Sequence, residues 1–324
     1  MPTMGIIERA DNILWYSSIE ISRYMTLVKY AISFAQNIRD GRLDEIGHVP
    51  FLQHEQKTDA LENHVMLVKT KSFLAKKDEI ILHFCLDYTE SELRKDLAIQ
   101  LLELFIEKFL DKVKIKAKFL EKLEDKNDEF TSTCDDTFQE VMTTNQLMAE
   151  VETGLQLDTQ DTKEKKMNLL FAAVSVQGVP ISAKFYEDMA SHFRLSVSDK
   201  EEANSVLENL ISAQLSTLCY ESVVQGTSCT HMCLKFTDLL SFTERQLTVN
   251  FFPVNDTGRK ILQQDDFSFI IMNEGDPDLA RTFQMSVSPL FSQTGLFKER
   301  FSGNVSRYSA VKLLLDGFPK TLRS

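Results

Sequence analysis

The sequence predicts an α+β protein of two domains, each a mostly antiparallel five-stranded sheet with helices on both faces. Three observations predict this class. The stretch 79–113 joins a strand that is apolar on both faces to a helix with a wide apolar stripe, which is typical of a helix laid on a buried sheet. Short polar turns separate neighbouring strands, as in antiparallel hairpins. The order strand, strand, helix, three strands, helix then occurs in both halves of the chain.

In the first half, alternating apolar residues indicate the strands 5–10, 13–21, 65–74 and 79–87, and 47–56 fits either a strand or a loop. A helix over 24–38 has apolar residues three and four apart, and Gly41 closes it. Thr89 and Glu92 form a capping box that begins the next helix. These elements predict a first domain over 1–123.

The segment 124–166 is predicted to be a polar linker with one short helix near 138–151, because it is rich in Asp, Glu, Thr and Gln. The second domain is expected over 167–324. Its predicted strands are 167–176, 181–186, 215–224, 229–236, 246–252 and 267–272. Ser198 caps a helix after the second of these strands, Asp276 with Pro277 begins another helix, and the last helix ends at Gly317.

Charge and composition exclude several classes. Lys+Arg 36 against Asp+Glu 48 gives a net charge of −12, which opposes binding to nucleic acid or anionic lipid. A basic run is followed at once by acidic residues, so it is interpreted as a solvated helix face; its members are Lys112, Lys114, Lys116, Lys118 and Lys122. The odd number of cysteines, 5, favours a reducing compartment. No apolar run approaches the roughly 20 residues of a transmembrane segment, so a cytoplasmic protein is expected.

One constellation contains ligands that zinc prefers: Cys219, Cys229, His231 and Cys233. Strand alternation would place Cys229, His231 and Cys233 on one face, with Cys219 on the preceding strand. Same-face neighbours on a flat strand lie roughly 7 Å apart, and the usual zinc spacing is a CxxC knuckle on a turn. The sequence therefore favours a core strand with a hydrogen-bonded histidine over a metal site.

Other candidate chemistry is weaker. His83, Cys85 and Asp87 share a strand face, but three residues in a line cannot converge on a substrate. The acidic groups are interpreted as solvated loops and a helix cap; they are Asp135, Asp136, Asp265, Asp266, Glu274, Asp276 and Asp278. The chain contains no GxxxxGK[ST], GxGxxG, HExxH or GxSxG motif. We therefore expect no catalytic, cofactor-binding or metal-binding residues, and no enzyme activity.

The element order over 5–112 and 167–315 resembles the longin fold, in which the first helix covers one face of a five-stranded sheet and the later helices cover the other. The extra strand 267–272 and the uncertain strand near Phe51 depart from that order and leave room for a roadblock or profilin-like sheet. The resemblance implies a non-catalytic protein that binds a small GTPase or another longin or roadblock protein in membrane trafficking, through a sheet edge and the first helix. A structural coat or tether subunit and a zinc-dependent enzyme are the alternatives.

Overall fold

The computed structural model describes residues 1–8, 12–51, 62–75, 78–114, 128–151, 166–187, 192–193, 200–238, 241–254, 261–319 and 321–323. The first half forms β1 (Thr3–Glu8), β2 (Asn12–Tyr16), α1 (Ile19–Asn37), β3 (Arg42–Pro50), β4 (His64–Ala75), β5 (Asp78–Thr89), α2 (Lys95–Lys114) and α3 (Asp128–Val151). The second half forms β6 (Lys166–Val176), β7 (Val179–Phe185), α4 (Lys200–Val224), β8 (Thr227–Thr237), β9 (Glu244–Pro253), β10 (Phe267–Gly275), α5 (Pro277–Thr294), a 3-10 turn (Val305–Tyr308), α6 (Ala310–Asp316) and β11 (Thr321–Arg323).

These elements belong to two units. The first unit contains Met1–Lys29 and His64–Lys163, and the second contains Tyr30–Asn63 and Glu164–Ser324. Residues Tyr30–Asn63 belong to the second unit although they lie within the first half of the sequence. The reason is that this segment contains β3, which pairs antiparallel with β8 of the second half. The predicted domains follow the two halves of the sequence, so their bounds differ from those of these units.

The sheet of the first unit has the order β4-β5-β1-β2, with every pair antiparallel. One face packs against α2 and α3, and Trp15, Phe84 and Phe105 lie at the centre of that core. The first part of α1 covers the opposite face: a Cβ on Gly5 would lie 2.6 Å from the Cε of Met25. Helices therefore cover both faces of this sheet.

The sheet of the second unit has the order β11-β6-β10-β9-β8-β3, and β7 pairs with β6 along the same edge as β11. Phe267 and Phe269 of β10 pack with α5 and α6 in one core cluster. The helix α4 contacts β6, β7 and β8, and its buried Ile211 and Leu215 lie outside that cluster. The helix α4 therefore covers the other face.

The predicted α+β class, the antiparallel pairing and the helices on both faces are confirmed. The strand count of each sheet differs from the prediction. Within the described residues, the first unit has four strands and the second has seven, where five were expected in the first domain and five with one extra strand in the second. The difference comes from β3, which pairs with β8 of the second unit, from the short strand β11, and from 215–224, which is helical.

Two helix starts in the first half were predicted wrongly. Ile19 and Ile21 lie in α1 and not in a strand, and the Ser18 hydroxyl accepts a hydrogen bond from Ile21 N at 3.4 Å, as an N-cap serine does. Thr89 is not the cap of α2, because it is the last residue of β5 and pairs with His64. The Thr89 carbonyl accepts hydrogen bonds from the next turn, and α2 begins only at Lys95.

The predicted strand 215–224 is the largest error, because these residues continue α4 to Val224. This segment mixes serine, threonine and tyrosine with leucine and valine, a composition that fits a strand as well as a helix. The buried side chains Leu207, Ile211, Leu215 and Leu218 nevertheless keep helical spacing, and they place one face of the helix in the core. Ser216 Oγ donates to the Ser212 carbonyl at 2.5 Å, which satisfies the hydroxyl inside the helix.

The segment predicted as a linker contains α3, which begins at Asp128 and not near Phe138, and which packs on the first unit through Phe130 and Val141. The helix α5 was predicted correctly: Asp276 caps it with Pro277 at its first position. Ser198 lies outside the described residues, as do Lys116, Lys118 and Lys122.

None of the helices in the described ranges combines the length and the apolar character that are needed to cross a bilayer.

Candidate functional site

The four residues that the sequence offered as zinc ligands do not lie together. Cys219 is on α4 and not on a strand, and it is buried. Cys229 lies beside it, where its backbone N–H donates to Ser222 Oγ of α4 at 3.2 Å. Burial raises the pKa of Cys229, and the neighbouring Cys219 raises it further. Burial also raises the pKa of Cys219 to about 12. Both thiols are therefore protonated core groups at neutral pH.

His231 and Cys233 instead lie with a residue that sequence reasoning missed, Glu45 of β3. Glu45 pairs with Cys233 across the two strands, and its Oε1 is 3.2 Å from His231 Nε2. One donor atom from each of the three side chains lies within 4.8 Å of the others. We call these residues the Glu45 cluster. Glu45 and Cys233 are buried, whereas the His231 side chain is 28% exposed, so the cluster has one opening to solvent.

Two β-bulges flank the Glu45 cluster: the first sets Glu45 opposite Cys233, and the second moves Cys229 to the other face. Leu43 pairs with Leu234 and Glu45 with Cys233, so Asp44 is an extra residue on β3. On β8, His231 pairs with Gly47 and Cys229 pairs with His48, so an extra residue separates them and their side chains no longer share a face. Bulges redirect side chains in this way, and they are over-represented beside functional sites.

Gly47 provides the space for the imidazole of His231. A Cβ at Gly47 would lie 2.1 Å from His231 Cε1 and 2.3 Å from Nδ1. The Thr230 hydroxyl is 3.2 Å from Nδ1, so both ring nitrogens of His231 have polar neighbours. Glycine is therefore required here for a close approach between strands and not for an unusual φ angle.

The substitution Gly47→Ala is expected to lower the free energy of unfolding by about 1–3 kcal/mol, because the new methyl group displaces the ring from Glu45. Urea unfolding followed by far-UV circular dichroism measures this change. In a His231→Ala background the same substitution should lose part of its effect, since the ring is then absent while the Thr230 hydroxyl, 2.7 Å from the same Cβ, remains. An equal loss in both backgrounds would show that the imidazole is not what excludes a side chain at this position.

The predicted line His83, Cys85 and Asp87 is also separated by its partners. His83 Nδ1 is 2.9 Å from the hydroxyl of Thr70, and Asp87 Oδ2 is 3.0 Å from His64 Nδ1. The Cys85 thiol donates to the backbone carbonyl of His83 at 3.9 Å, and burial raises its pKa. A nucleophile needs a thiolate beside its base. The structure gives Cys85 neither feature.

The acidic residues have structural partners. Asp135 accepts a hydrogen bond from Trp15 Nε1 at 2.9 Å, Asp265 accepts one from Gln177 Nε2 at 2.9 Å, and Asp266 accepts one from Gln263 N at 2.9 Å. Glu274 is held in a bidentate pair by the guanidinium of Arg245. The predicted contexts hold for Asp276, which caps α5, and for Asp265 and Asp266, which lie outside the helices and strands. They were wrong for Asp135 and Asp136, which lie within α3, and for Glu274, which lies in β10.

The edge strand β2 is the part of the first unit that matches the predicted binding surface, because the first helix begins directly after it. Within the described residues β2 pairs with β1 alone. Ser17 N donates to the Met4 carbonyl at 2.8 Å. Hydrogen-bonded and non-hydrogen-bonded pairs alternate along antiparallel strands. Because Ser17 and Met4 are hydrogen-bonded, the next pair, Tyr16 with Gly5, is a non-hydrogen-bonded pair. The backbone N–H and C=O of Tyr16 therefore point to the open edge.

Apolar side chains accompany these open backbone groups. Tyr16 is 45% exposed and Ile19, at the start of α1, is 73% exposed. The preceding Trp15 is buried, stacks on Phe105 with ring centroids 5.6 Å apart and donates to Asp135. The strand is thus held on its inner side by Trp15, and the exposed side chains beside its open edge are Tyr16 of β2 and Ile19 of α1. We call Asn12–Tyr16 together with Ile19 the β2 edge.

The edge strand β7 of the second unit is less open to another strand. It contains Pro180, which has no N–H to donate. Lys184 of the same strand forms an ion pair with Asp316 of α6. Between the edge strands β2 and β7, β2 therefore offers the better template for an added strand.

No protein-family model matches the chain, and no curated protein matches it. The solved structure of an RNA-binding light-oxygen-voltage receptor aligns with 90% of this chain and 99% of its own, at 8% sequence identity and a TM-score of 0.18. A TM-score this low carries no argument about the fold or the function of this chain.

Proposed function

We propose that the chain is a non-catalytic interaction protein of two longin-like domains, and that it binds a small GTPase or another longin or roadblock protein in membrane trafficking. The observation that carries the proposal is the arrangement of the second half. Once 215–224 is assigned to α4, three strands follow this helix and α5 comes directly after them. The predicted extra strand, 267–272, corresponds to β10. With 215–224 in a helix, β10 is the fifth strand of this half and fits the longin order.

The positions of the helices support the same proposal. In the second unit, α4 covers one face of the sheet, and α5 and α6 cover the other. This is the division between first and later helices in the longin fold, as described above. The first unit has the strand order β4-β5-β1-β2, and the second contains the equivalent order β9-β10-β6-β7. The two halves therefore repeat a pattern of pairing as well as an order of elements.

The β2 edge is the binding surface in this proposal. An added strand would pair with the outward N–H and C=O of Tyr16, and its side chains would contact Tyr16 and Ile19. Main-chain hydrogen bonds provide affinity in this mode, and the flanking apolar side chains provide specificity. The buried, protonated thiols of Cys85, Cys134, Cys219 and Cys229 are consistent with a protein that does no thiol chemistry.

Affinity capture tests the function. The tagged 324-residue chain is mixed with a lysate of its own source that contains excess GDP or a non-hydrolysable GTP analogue, and the retained proteins are identified by mass spectrometry. The proposal predicts either a small GTPase that is retained in one nucleotide state and not in the other, or a longin or roadblock protein that is retained in both. Turnover of a substrate by the purified chain alone, or retention of neither kind of protein, would contradict it.

A further inference from the structure

The Glu45 cluster has the composition of a transition-metal site. It contains one carboxylate, one imidazole and one thiol, each able to supply one donor atom to the same point. Zinc binds these three ligand types at about 2.0–2.3 Å, in a tetrahedral arrangement that keeps donor atoms roughly 3–4 Å apart. The donor atoms here lie within 4.8 Å of one another, so small side-chain rotations bring them to that spacing.

The way the strands are built also favours a ligand at this point. Glu45 is 8% exposed, and its carboxylate lies 3.2 Å from His231 Nε2. The bulge at Asp44 sets Glu45 opposite Cys233, and Gly47 leaves room for the ring of His231 on the same face. His231 and Cys233 are neighbours on one face of β8, but their donor atoms lie within 4.8 Å of each other, so the wider spacing of a flat strand does not keep them apart.

We propose that Glu45, His231 and Cys233 bind a zinc ion. The three protein ligands leave a fourth position at the exposed side of His231, which water or a side chain of a bound partner can occupy. A thiol and an imidazole disfavour magnesium and calcium, which take oxygen ligands. This site is independent of partner binding at the β2 edge, and either one can exist without the other.

The ion would hold together two strands from opposite halves of the sequence. β3 comes from the first half and β8 from the second, and they pair over the full length of β3. Because the unfolded chain does not keep these three ligands together, zinc binds the folded state preferentially and raises the thermal midpoint. The thiol must lose its proton to bind, so binding also releases a proton to the buffer.

Metal titration of the chelator-treated 324-residue chain tests this site, with zinc for affinity and cobalt for spectroscopy. The expected result is one metal ion per chain, a higher thermal midpoint with zinc, and a thiolate-to-cobalt charge-transfer band. Cys233→Ser should abolish the band and weaken zinc binding by at least about 100-fold, since loss of a direct ligand exceeds the 10–100-fold cost of an outer-shell change. His231→Gln, at a part-exposed position, should weaken binding without preventing folding.

Cys229→Ser is the matched control, because it removes a thiol four residues from Cys233 on the same strand that lies beside α4 and outside the Glu45 cluster. This variant should keep both the charge-transfer band and the affinity for zinc. The proposal is overturned if the wild-type chain binds no zinc at micromolar concentration. It is equally overturned if Cys233→Ser binds as the wild type does, or if Cys229→Ser loses the cobalt band.

Discussion

Phe105→Ala is expected to lower the free energy of unfolding of the first unit by about 3–5 kcal/mol. Phe105 has no exposed surface, and its ring lies 5.6 Å from that of Trp15 and 6.3 Å from those of Phe84 and Phe109, measured between centroids. Its truncation leaves a cavity between the sheet and α2 that rigid strands cannot close. The loss combines the removed apolar contacts with the cost of that cavity.

The single tryptophan of the chain reports this change directly. Trp15 stacks on Phe105 at an interplanar angle of 14°, so its fluorescence follows the unfolding of the first unit in guanidinium chloride. Ile19→Ala is the control, because this side chain of the first unit is 73% exposed and its truncation should change stability by less than about 0.5 kcal/mol. A loss below about 1 kcal/mol for Phe105→Ala would show that this core is packed differently.

His83 is expected to make the protein less stable in mild acid. Burial lowers the pKa of His83 in the folded chain to about 4, whereas the unfolded chain titrates near the ordinary value of 6.5. Between these values the unfolded state binds the additional proton, so stability rises with pH. This contribution is fully present above pH 6.5 and is lost as the pH falls toward 4, at about 1.4 kcal/mol per unit, or about 3 kcal/mol in total.

His83→Gln removes the titrating group and keeps a hydrogen-bonding side chain beside Thr70. Urea unfolding at several pH values should give a shallower dependence between pH 6.5 and 4 for this variant than for the wild-type chain. Thr70→Val keeps the imidazole, so it should keep the steeper dependence. Parallel curves for the wild type and His83→Gln would mean that His83 is not buried as a neutral group.

Local signals in the sequence predicted the elements whose ends depend on nearby residues. The helix α5 begins at Asp276 and Pro277 because the cap and the fixed φ of proline act within a few residues. The hairpin between β6 and β7 turns at Gln177 and Gly178, which both have positive φ. At Thr89 the same kind of local signal failed, because pairing with His64 extends β5 past the expected cap.

Long-range pairing determined what the sequence could not show. Residues 215–224 are compatible with either a strand or a helix, and their packing inside the second unit decides for the helix. His231 and Cys233 could be named from their residue types, but Glu45 could not. The position of Glu45 depends on the register of β3 against β8 and on two bulges, and no sequence pattern predicts these features. The glycine at position 47 was the only local sign of a close approach between strands.

The affinity of the Tyr16→Pro chain for the captured GTPase tests the central proposal most directly. Proline removes the outward N–H of Tyr16 without breaking a hydrogen bond to β1, and it requires the preceding Trp15 to be extended, as it already is within β2. Tyr16→Thr is the control, since it removes the ring and keeps the N–H. Trp15 fluorescence verifies that both variants are folded. Strand addition at the β2 edge predicts at least a roughly tenfold loss of affinity for Tyr16→Pro, and a smaller loss for Tyr16→Thr. Unchanged binding by Tyr16→Pro would contradict strand addition at this edge.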